Sequence, residues 1–251
     1  SGVSVSLSSD GTIVAIGANG NDGNGTSAGH VRIYEWNSGS SSWDKKGSDI
    51  DGEAASDYSG FSVSLSSDGT IVAIGAYGND DNGSISGHVR VYKWNGSAWA
   101  KRGNDIDGEA AYDYSGRSVS LSSDGTIVAI GAYANDGNGT SAGHVRIYEW
   151  NSGSSSWDKK GSDIDGEAAA DYSGQSVSIS SDGTIVAIGA NGNDGNGTSA
   201  GHVRIYEWNS GSSSWDKKGS DIDGEAVSDN SGVSVSLSSD GTIVAIGAYA
   251  N

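Results

Sequence analysis

The chain has 251 residues, a formal net charge of −18 and 41 glycines, and it contains no proline, cysteine or methionine. An acidic surface of this strength repels nucleic acid and anionic membranes, so we expect neither as a partner. Without cysteine there is no disulfide framework, and no apolar run approaches the ~20 residues that cross a bilayer, so we also expect no membrane insertion.

One unit that opens with Ser-Gly repeats along the whole chain, and the stretch SSDGTIVAIGA occurs five times without change. Identical copies at a nearly constant period are typical of stacked supersecondary units. We predict a single repeat array over residues 1–251, with four full units and half of a fifth. The predicted boundaries are 1–58, 59–114, 115–172, 173–230 and 231–251. Because both ends fall inside a repeat, we expect the sequence to be a piece of a longer or processed chain.

Each full unit contains the signals of four strands in chain order. In the first unit, Ser4–Ser8 alternates apolar residues with small serines, as a strand does, and an Asp-Gly hairpin signal follows. Thr12–Ala18 is continuously apolar, which is typical of a strand buried on both faces. After a glycine-rich loop, a third strand is predicted over His30–Trp36. A fourth is predicted over Ser42–Ile50, whose lysines suit an exposed outer edge.

A single sheet of this size cannot cover the apolar second strand on both faces, so neighbouring units must stack. We therefore predict an all-β fold of tandem four-stranded blades of β-propeller type, either as an open array or continued in a polymer. The serine-rich first strand would line the axis, where small side chains permit close approach. In the outer hairpin, the loop lengths keep Trp36 opposite Trp43 and Trp94 opposite Trp99.

Three stretches resemble the FG-GAP repeat of integrin-α-type β-propellers, namely Asp57–Ser66, Thr70–Ala76 and Gly87–Tyr92. The resemblance covers the whole chain and implies a β-propeller built from such blades. The Phe of the family's Phe-Gly pair is a serine here, as at Ser59, and the Pro of its Gly-Ala-Pro is replaced, as at Asn19. Calcium-binding blades of the family carry an Asp-rich loop between the first two strands. This chain has only a short Asp-Gly turn there, so the family's metal site is not carried over.

The acidic stretch DIDGEAASD, which follows the fourth strand, is the strongest candidate for a metal site. Calcium takes six to eight oxygen ligands, and a tight turn can present carboxylates at this spacing. The alternative interpretation is structural, with the carboxylates bonded to main-chain amides that hold the crossover between blades. The candidate calcium ligands are Asp49, Asp51, Glu53, Asp57, Asp105, Asp107, Glu109, Asp113, Asp163, Asp165, Glu167, Asp171, Asp221, Asp223, Glu225 and Asp229.

Sequons for N-glycosylation, Asn-Gly-Thr or Asn-Gly-Ser, occur once in each full unit and once more in the second unit. In a secreted protein these asparagines would accept glycans. The alternative is that Asn-Gly turns beside serine and threonine form sequons by accident. The candidate glycosylation sites are Asn24, Asn82, Asn95, Asn138 and Asn196.

No constellation of catalytic residues is recognisable in the sequence. One histidine in each full unit follows a glycine, with no cysteine or second histidine beside it, so we expect a structural role. There is no nucleophile elbow of the G-x-S-x-G type between a strand and a helix. An enzyme usually breaks its repeat symmetry at one site, and the acidic residues here repeat in every unit. We therefore predict that the chain is not an enzyme.

These observations favour a secreted, non-catalytic structural or adhesive protein, glycosylated and part of an extracellular or cell-surface fibre or matrix. Its main partner would be copies of itself, because an exposed sheet face at each end of an array invites another copy. The alternative is a multivalent propeller that binds glycans or other surface proteins, with aromatic platforms in each blade. Binding to glycans would distinguish the two hypotheses.

Overall fold

The structure, a computed structural model, describes residues 1–250, and every regular element in this range is a β-strand, which confirms the all-β prediction. Within these residues there is no helix of the length and apolar character needed to cross a membrane. Each of the first four units forms one antiparallel sheet of four consecutive strands and a short fifth strand that pairs with the third. The last unit contributes a sheet of two strands.

The strands recur in the same order in every unit. The first unit contains β1 (Ser4–Leu7), β2 (Ile13–Ala18), β3 (His30–Asn37), β4 (Ser42–Lys45) and β5 (Ile50–Asp51). The second contains β6 (Ser62–Leu65), β7 (Ile71–Ala76), β8 (His88–Trp94), β9 (Trp99–Lys101) and β10 (Ile106–Asp107). The third contains β11 (Ser118–Leu121), β12 (Ile127–Ala132), β13 (His144–Asn151), β14 (Ser156–Lys159) and β15 (Ile164–Asp165). The fourth contains β16 (Ser176–Ile179), β17 (Ile185–Ala190), β18 (His202–Asn209), β19 (Ser214–Lys217) and β20 (Ile222–Asp223), and the last contains β21 (Ser234–Leu237) and β22 (Val244–Gly247).

The predicted fourth strand over Ser42–Ile50 is in fact two strands. β4 ends at Lys45, and Gly47 then adopts a φ of 82°, a left-handed conformation that glycine takes without steric cost. The chain turns there, and Ile50 in β5 pairs with Val31 near the start of β3. This bend brings the acidic stretch against the end of the sheet at which β3 begins.

The hydrophobic core lies between consecutive sheets. Ile13 and Ile33 of the first blade share a buried cluster with Leu65 and Ile74 of the second. Equivalent clusters join the second blade to the third and the third to the fourth. Burial of one such side chain stabilises a fold by roughly 1.5–3 kcal/mol, so each blade depends on its neighbours for stability.

The serine-rich strands β1, β6, β11, β16 and β21 lie side by side around the axis, as predicted. Ser4 Oγ donates to the main-chain oxygen of Gly60 at 2.8 Å, and the amide of Leu65 donates to Ser6 Oγ at 2.9 Å. The same two bonds recur at the later junctions. Side-chain hydroxyls thus connect inner strands that belong to separate sheets.

Contacts within the inner hairpin explain why SSDGTIVAIGA is the same in all five copies. Ser8 Oγ accepts a hydrogen bond from the amide of Ile13 at 2.9 Å and donates one to Asp10 at 2.7 Å. Gly17 lies so close to the next blade that a β-carbon there would clash with the main-chain oxygen of Gly60. The turn and the blade contact therefore each require particular residue types.

Residues 1–250 form an open array, because among them the first and last sheets each leave one face uncovered. Val5 and Leu7 in β1 are 63% and 59% exposed, whereas their equivalents Val63 and Leu65 in β6 are 9% and 7% exposed. At the opposite end, Ile243 is 69% exposed. We call the uncovered side of the first sheet the first-blade face, and it consists of Val5, Leu7, Val14 and Ile16.

Candidate functional site

The predicted site residues other than Asn95 lie on one side of the array, near the point in each full blade where β3 or its equivalent begins. There β2 is followed by the glycine-rich loop, residues 19–29, and β5 by the crossover to the next blade, residues 52–61. Asn24 joins the two segments, because its Nδ2 donates to the main-chain oxygens of Gly52 and Glu53 at 2.7 and 3.2 Å. We call these two segments and their equivalents in the later blades the loop face.

The four carboxylates of the first acidic stretch do not converge on one point. Asp49 is ion-paired with Arg32 at 3.1 Å, and this guanidinium lowers the pKa of Asp49 to about 2. Glu53 reaches the next blade, where its Oε1 lies 3.2 Å from Nη1 of Arg90. Asp57 is buried and accepts hydrogen bonds from two main-chain amides of the crossover at 3.2 and 2.9 Å. The environment of Asp57 agrees with the structural interpretation, and calcium binding by the stretch stays a prediction.

The later copies of the stretch follow a similar pattern. The first carboxylate of each copy is ion-paired with a lysine of the outer strand, in the pairs Lys101–Asp105, Lys159–Asp163 and Lys217–Asp221. The second lies opposite a histidine in the strand register, at Asp51, Asp107, Asp165 and Asp223. The third faces an arginine of the next blade at Glu109 and Glu167, and Glu225 is exposed. The fourth is buried against main-chain amides at Asp113, Asp171 and Asp229.

The structure places carboxylates around each of the four histidines, in four groups that differ from the predicted ligand set. In the groups of the second, third and fourth blades, the histidine and the first carboxylate of the acidic stretch belong to one blade, and the glutamate belongs to the preceding blade. All ligand atoms within a group lie within 4.8 Å of one another. The groups are His30, Asp49 and Asp51; Glu53, Asp81, His88 and Asp105; Glu109, His144 and Asp163; and Glu167, His202 and Asp221.

Burial gives these histidines a specific chemical character. Loss of hydration lowers the pKa of all four, to about 4 for His88 and His144. They are therefore neutral at pH 7, and a neutral imidazole has a nitrogen lone pair that can accept a hydrogen bond or bind a metal. The sequence did not reveal these groups, because they depend on the short strand β5 and its equivalents and on contacts between blades.

The sequon asparagines are exposed, and four of them have the same hydrogen-bonded role. Nδ2 of Asn24, Asn82, Asn138 and Asn196 donates to the main-chain oxygen of a crossover glycine at 2.7 to 2.8 Å. Asn95 differs, since it lies in the loop between β8 and β9 and accepts bonds at Oδ1 from the amides of Ser97 and Ala98. Glycosylation of these asparagines stays a prediction.

The tryptophans form a pair in each full blade, and in the second to fourth blades the second of each pair contacts the preceding blade. Trp36 lies opposite Trp43 in the register of β3 and β4, with ring centroids 5.5 Å apart. Trp99 packs against the first blade, where its Nε1 donates to the main-chain oxygen of Lys46 at 2.8 Å. These contacts give Trp99 and its equivalents a structural role in the packing of neighbouring blades.

A second aromatic cluster lies on the loop face and was not predicted. Tyr58 and Tyr77 stack at 5.2 Å between centroids, and the guanidinium of Arg117 lies 4.3 Å from the ring centroid of Phe61. We call this cluster the aromatic row. Its members are Tyr58, Phe61, Tyr77, Tyr114, Tyr133 and Tyr172. Variation between the units could have indicated this cluster, since the first and fourth units carry asparagine at the position of Tyr77.

Comparison with known proteins identifies the family. Residues 49–92, 106–148 and 163–206 match the FG-GAP repeat. These segments together cover more than half of the chain, so the chain belongs to the FG-GAP repeat family, as the sequence resemblance suggested. A search of curated proteins gave no match.

Two solved structures have a similar fold. One is a protein assigned as a 6-phosphogluconolactonase from Bacteroides uniformis, with a TM-score of 0.63, 13% identity, and coverage of 98% of this chain and 63% of that one. The other is the periplasmic gluconolactonase of Pseudomonas aeruginosa, with a TM-score of 0.63, 14% identity, and coverage of 97% of this chain and 64% of that one. At these identities the likeness concerns the fold alone. This chain spans less than two thirds of the length of either structure.

The prediction that the chain is not an enzyme was wrong. Both similar structures are named as lactonases, so an array of this architecture is compatible with catalysis. The argument from repeat symmetry also failed on the sequence itself. The second unit carries Asp81 in NDDNG, where the first, third and fourth units carry glycine in NDGNG. Repeat symmetry is therefore broken on the loop face, at Asp81 as well as at Tyr77.

Proposed function

We propose that this member of the FG-GAP repeat family is a structural and adhesive protein that acts outside the cell and assembles with copies of itself. The observation that carries the proposal is the first-blade face. Val5 and Leu7 are exposed there, although the same residues of the later blades form the core between sheets. Apolar side chains in an ordered sheet face favour contact with a complementary surface over contact with water.

A second copy offers such a surface, because the sheets are repeats of one another. In the interior, the side that covers Val63 and Leu65 is built from β2 and β3 of the preceding blade. The last sheet exposes the corresponding side of its own inner hairpin, including Ile243. Copies can thus associate head to tail, a contact that leads to filaments when the rotation does not close. The exposed sequon asparagines support an extracellular location.

Charge opposes this association. Two chains that each carry a net charge of −18 repel one another, and salt screens the repulsion between charges farther apart than the Debye length, about 8 Å at physiological ionic strength. We therefore expect a larger associated fraction at moderate salt than at low salt.

Light scattering over a series of protein and salt concentrations tests the proposal. The mass of the wild-type chain is expected to rise above that of one chain, and Leu7→Asp should prevent the rise because it places a carboxylate on the first-blade face. Ala98→Asp adds the same charge in an exposed hairpin loop and should behave as wild type. A wild-type mass of one chain under every condition would refute the proposal.

A second candidate function is multivalent binding of glycans or other surface proteins, and the aromatic row favours it. These half-buried rings present flat apolar faces next to Arg117 on the loop face. In a glycan array, Tyr77→Asn should weaken binding, since it introduces the residue that two other units carry. Tyr112→Ser is the control, because Tyr112 is exposed outside the row and two other units carry serine there. Equal loss in both variants, or no binding by the wild type, would argue against this function.

A further inference from the structure

The second blade differs from the others in the group around its histidine. Asp81 adds a carboxylate to the pattern of glutamate, histidine and aspartate, and only this group contains four potential ligands among residues 1–250. The extra carboxylate comes from the glycine-rich loop. It lies with its Oδ2 3.9 Å from Nδ1 of His88.

His88 is buried and has no hydrogen-bond partner. Its side chain is fully shielded from solvent, and neither Nδ1 nor Nε2 makes a hydrogen bond within residues 1–250. Most buried polar atoms in folded proteins are hydrogen-bonded, so an unpartnered imidazole among carboxylates calls for an explanation. A bound cation supplies one, because it would accept the lone pair of Nδ1.

The charge around His88 is also unbalanced. Glu53 is paired with Arg90, and Asp105 with Lys101, which leaves the carboxylate of Asp81 in excess. The equivalent group of the third blade has one carboxylate fewer. Glu109 and Asp163 are paired there with Arg146 and Lys159, and Asp165, the counterpart of Asp107, lies with its Oδ1 4.0 Å from Nδ1 of His144.

We propose that Glu53, Asp81, His88 and Asp105 bind one divalent transition-metal ion at the junction of the first and second blades. A neutral imidazole with carboxylates is a ligand set typical of Zn²⁺, whereas Ca²⁺ takes oxygen ligands alone. Lys101 has to leave Asp105 on binding, which its partly exposed side chain permits. Because Glu53 belongs to the crossover from the first blade, the ion would link the two blades.

Calorimetric titration of the untagged chain with Zn²⁺ tests the proposal. The wild type is expected to bind one ion. Asp81→Gly should weaken this binding at least tenfold, and it introduces the residue that the other full units carry at this position. Unchanged circular dichroism and melting temperature would show that the variant is folded. Zn²⁺ binding by Asp81→Gly with wild-type affinity would overturn the proposal.

The third blade offers a matched gain of function. Gly137 is equivalent to Asp81, and a β-carbon there would lie 3.6 Å from Oδ1 of Asp165, which is itself 4.0 Å from Nδ1 of His144. Gly137→Asp should therefore complete the group of Glu109, His144 and Asp163 and raise the stoichiometry from one ion to two. An unchanged stoichiometry in this folded variant would count against the four-ligand assignment.

Co²⁺ provides a spectroscopic readout of the imidazole ligand. Binding of Co²⁺ to the wild type should produce a visible absorption band that His88→Gln loses and that excess Zn²⁺ abolishes. If Ca²⁺ removed the band as effectively as Zn²⁺, or if His88→Gln retained it, the site would not be the one proposed.

Discussion

The indole Nε1 of Trp99 donates a hydrogen bond of 2.8 Å to the main-chain oxygen of Lys46 in the preceding blade. The bond recurs from Trp157 to Arg102 and from Trp215 to Lys160. Each outer hairpin is thus fixed to the blade before it, in the way that serine hydroxyls fix the inner strands.

Trp99→Phe keeps an aromatic ring in the contact but removes the donor. We expect the free energy of unfolding in urea to fall by about 1 kcal/mol, the usual net value of such a bond. Trp43→Phe is the matched control, because Trp43 is 44% exposed and lies in the first blade. Its effect should stay within about 0.5 kcal/mol. Equal losses in the two variants would show that the bond to the preceding blade contributes nothing measurable.

Gly131→Ala tests the close approach of neighbouring blades at the axis. A β-carbon at this position of β12 would clash with the main-chain oxygen of Gly174 and with Ser118 Oγ. We expect destabilisation of about 3 kcal/mol, the upper end of the range for over-packing. Gly20→Ala is the control, since nothing lies within 4 Å of its added carbon. Thermal and urea unfolding of both variants measure the difference, and near-neutral Gly131→Ala would contradict the observed spacing.

Stability should fall as the pH decreases from 7 to 5. The pKa of His88 and of His144 is about 4 in the folded chain because burial disfavours the charged form, and it is about 6.5 when the chain is unfolded. Between these values the unfolded chain binds more protons, so the stability present above pH 6.5 is lost as the pH falls. The expected loss is about 2 kcal/mol for each histidine over this interval.

His144→Gln provides the control for the pH experiment, because glutamine does not titrate. Urea unfolding of this variant at pH 7 and pH 5 should show a smaller drop in stability than the wild type. Burial raises the pKa of Asp107 and of Asp165, which offsets part of the loss, but both carboxylates are present in the wild type and in the variant. An identical drop in the variant would mean that His144 is not the source of the pH dependence.

Glycans at two sequons of the second blade should have different effects on stability. Nδ2 of Asn82 donates to the main-chain oxygens of Gly108 and Glu109 at 2.7 and 3.1 Å. A glycan on Asn82 would replace one of the two Nδ2 hydrogens, so we expect it to lower the melting temperature. A glycan on Asn95, which accepts hydrogen bonds at Oδ1, should leave the melting temperature unchanged. Material from a glycosylating host, with Ser84→Ala or Ser97→Ala to remove one sequon each, allows the comparison. A larger effect at Asn95 would contradict this expectation.

The sequence predicted the features that local patterns determine. The alternation in Ser4–Ser8, the Asp-Gly turn and the apolar run over Thr12–Ala18 correspond to β1, its hairpin and β2. The pairing of Trp36 with Trp43 also followed from loop length. The division of the fourth strand did not, because it depends on the positive φ of Gly47 and on pairing with β3.

The candidate site was less predictable, because its contacts join residues of different blades. The spacing of DIDGEAASD suggested one ligand set, yet Glu53 faces Arg90 of the next blade and Asp57 is bonded to main-chain amides. These partners depend on how blades stack, which no local pattern specifies. The extra carboxylate of Asp81, by contrast, could have been found by aligning the units with one another, because the other full units carry glycine at this position.

Negative-stain electron microscopy of the wild-type chain, at a protein concentration and salt strength that favour association, tests the central claim most directly. Assembly through the first-blade face predicts filaments in which arcs of blades join head to tail, and Leu7→Asp should leave single arcs. Isolated arcs or closed discs of the wild-type chain at every concentration would contradict the proposed assembly.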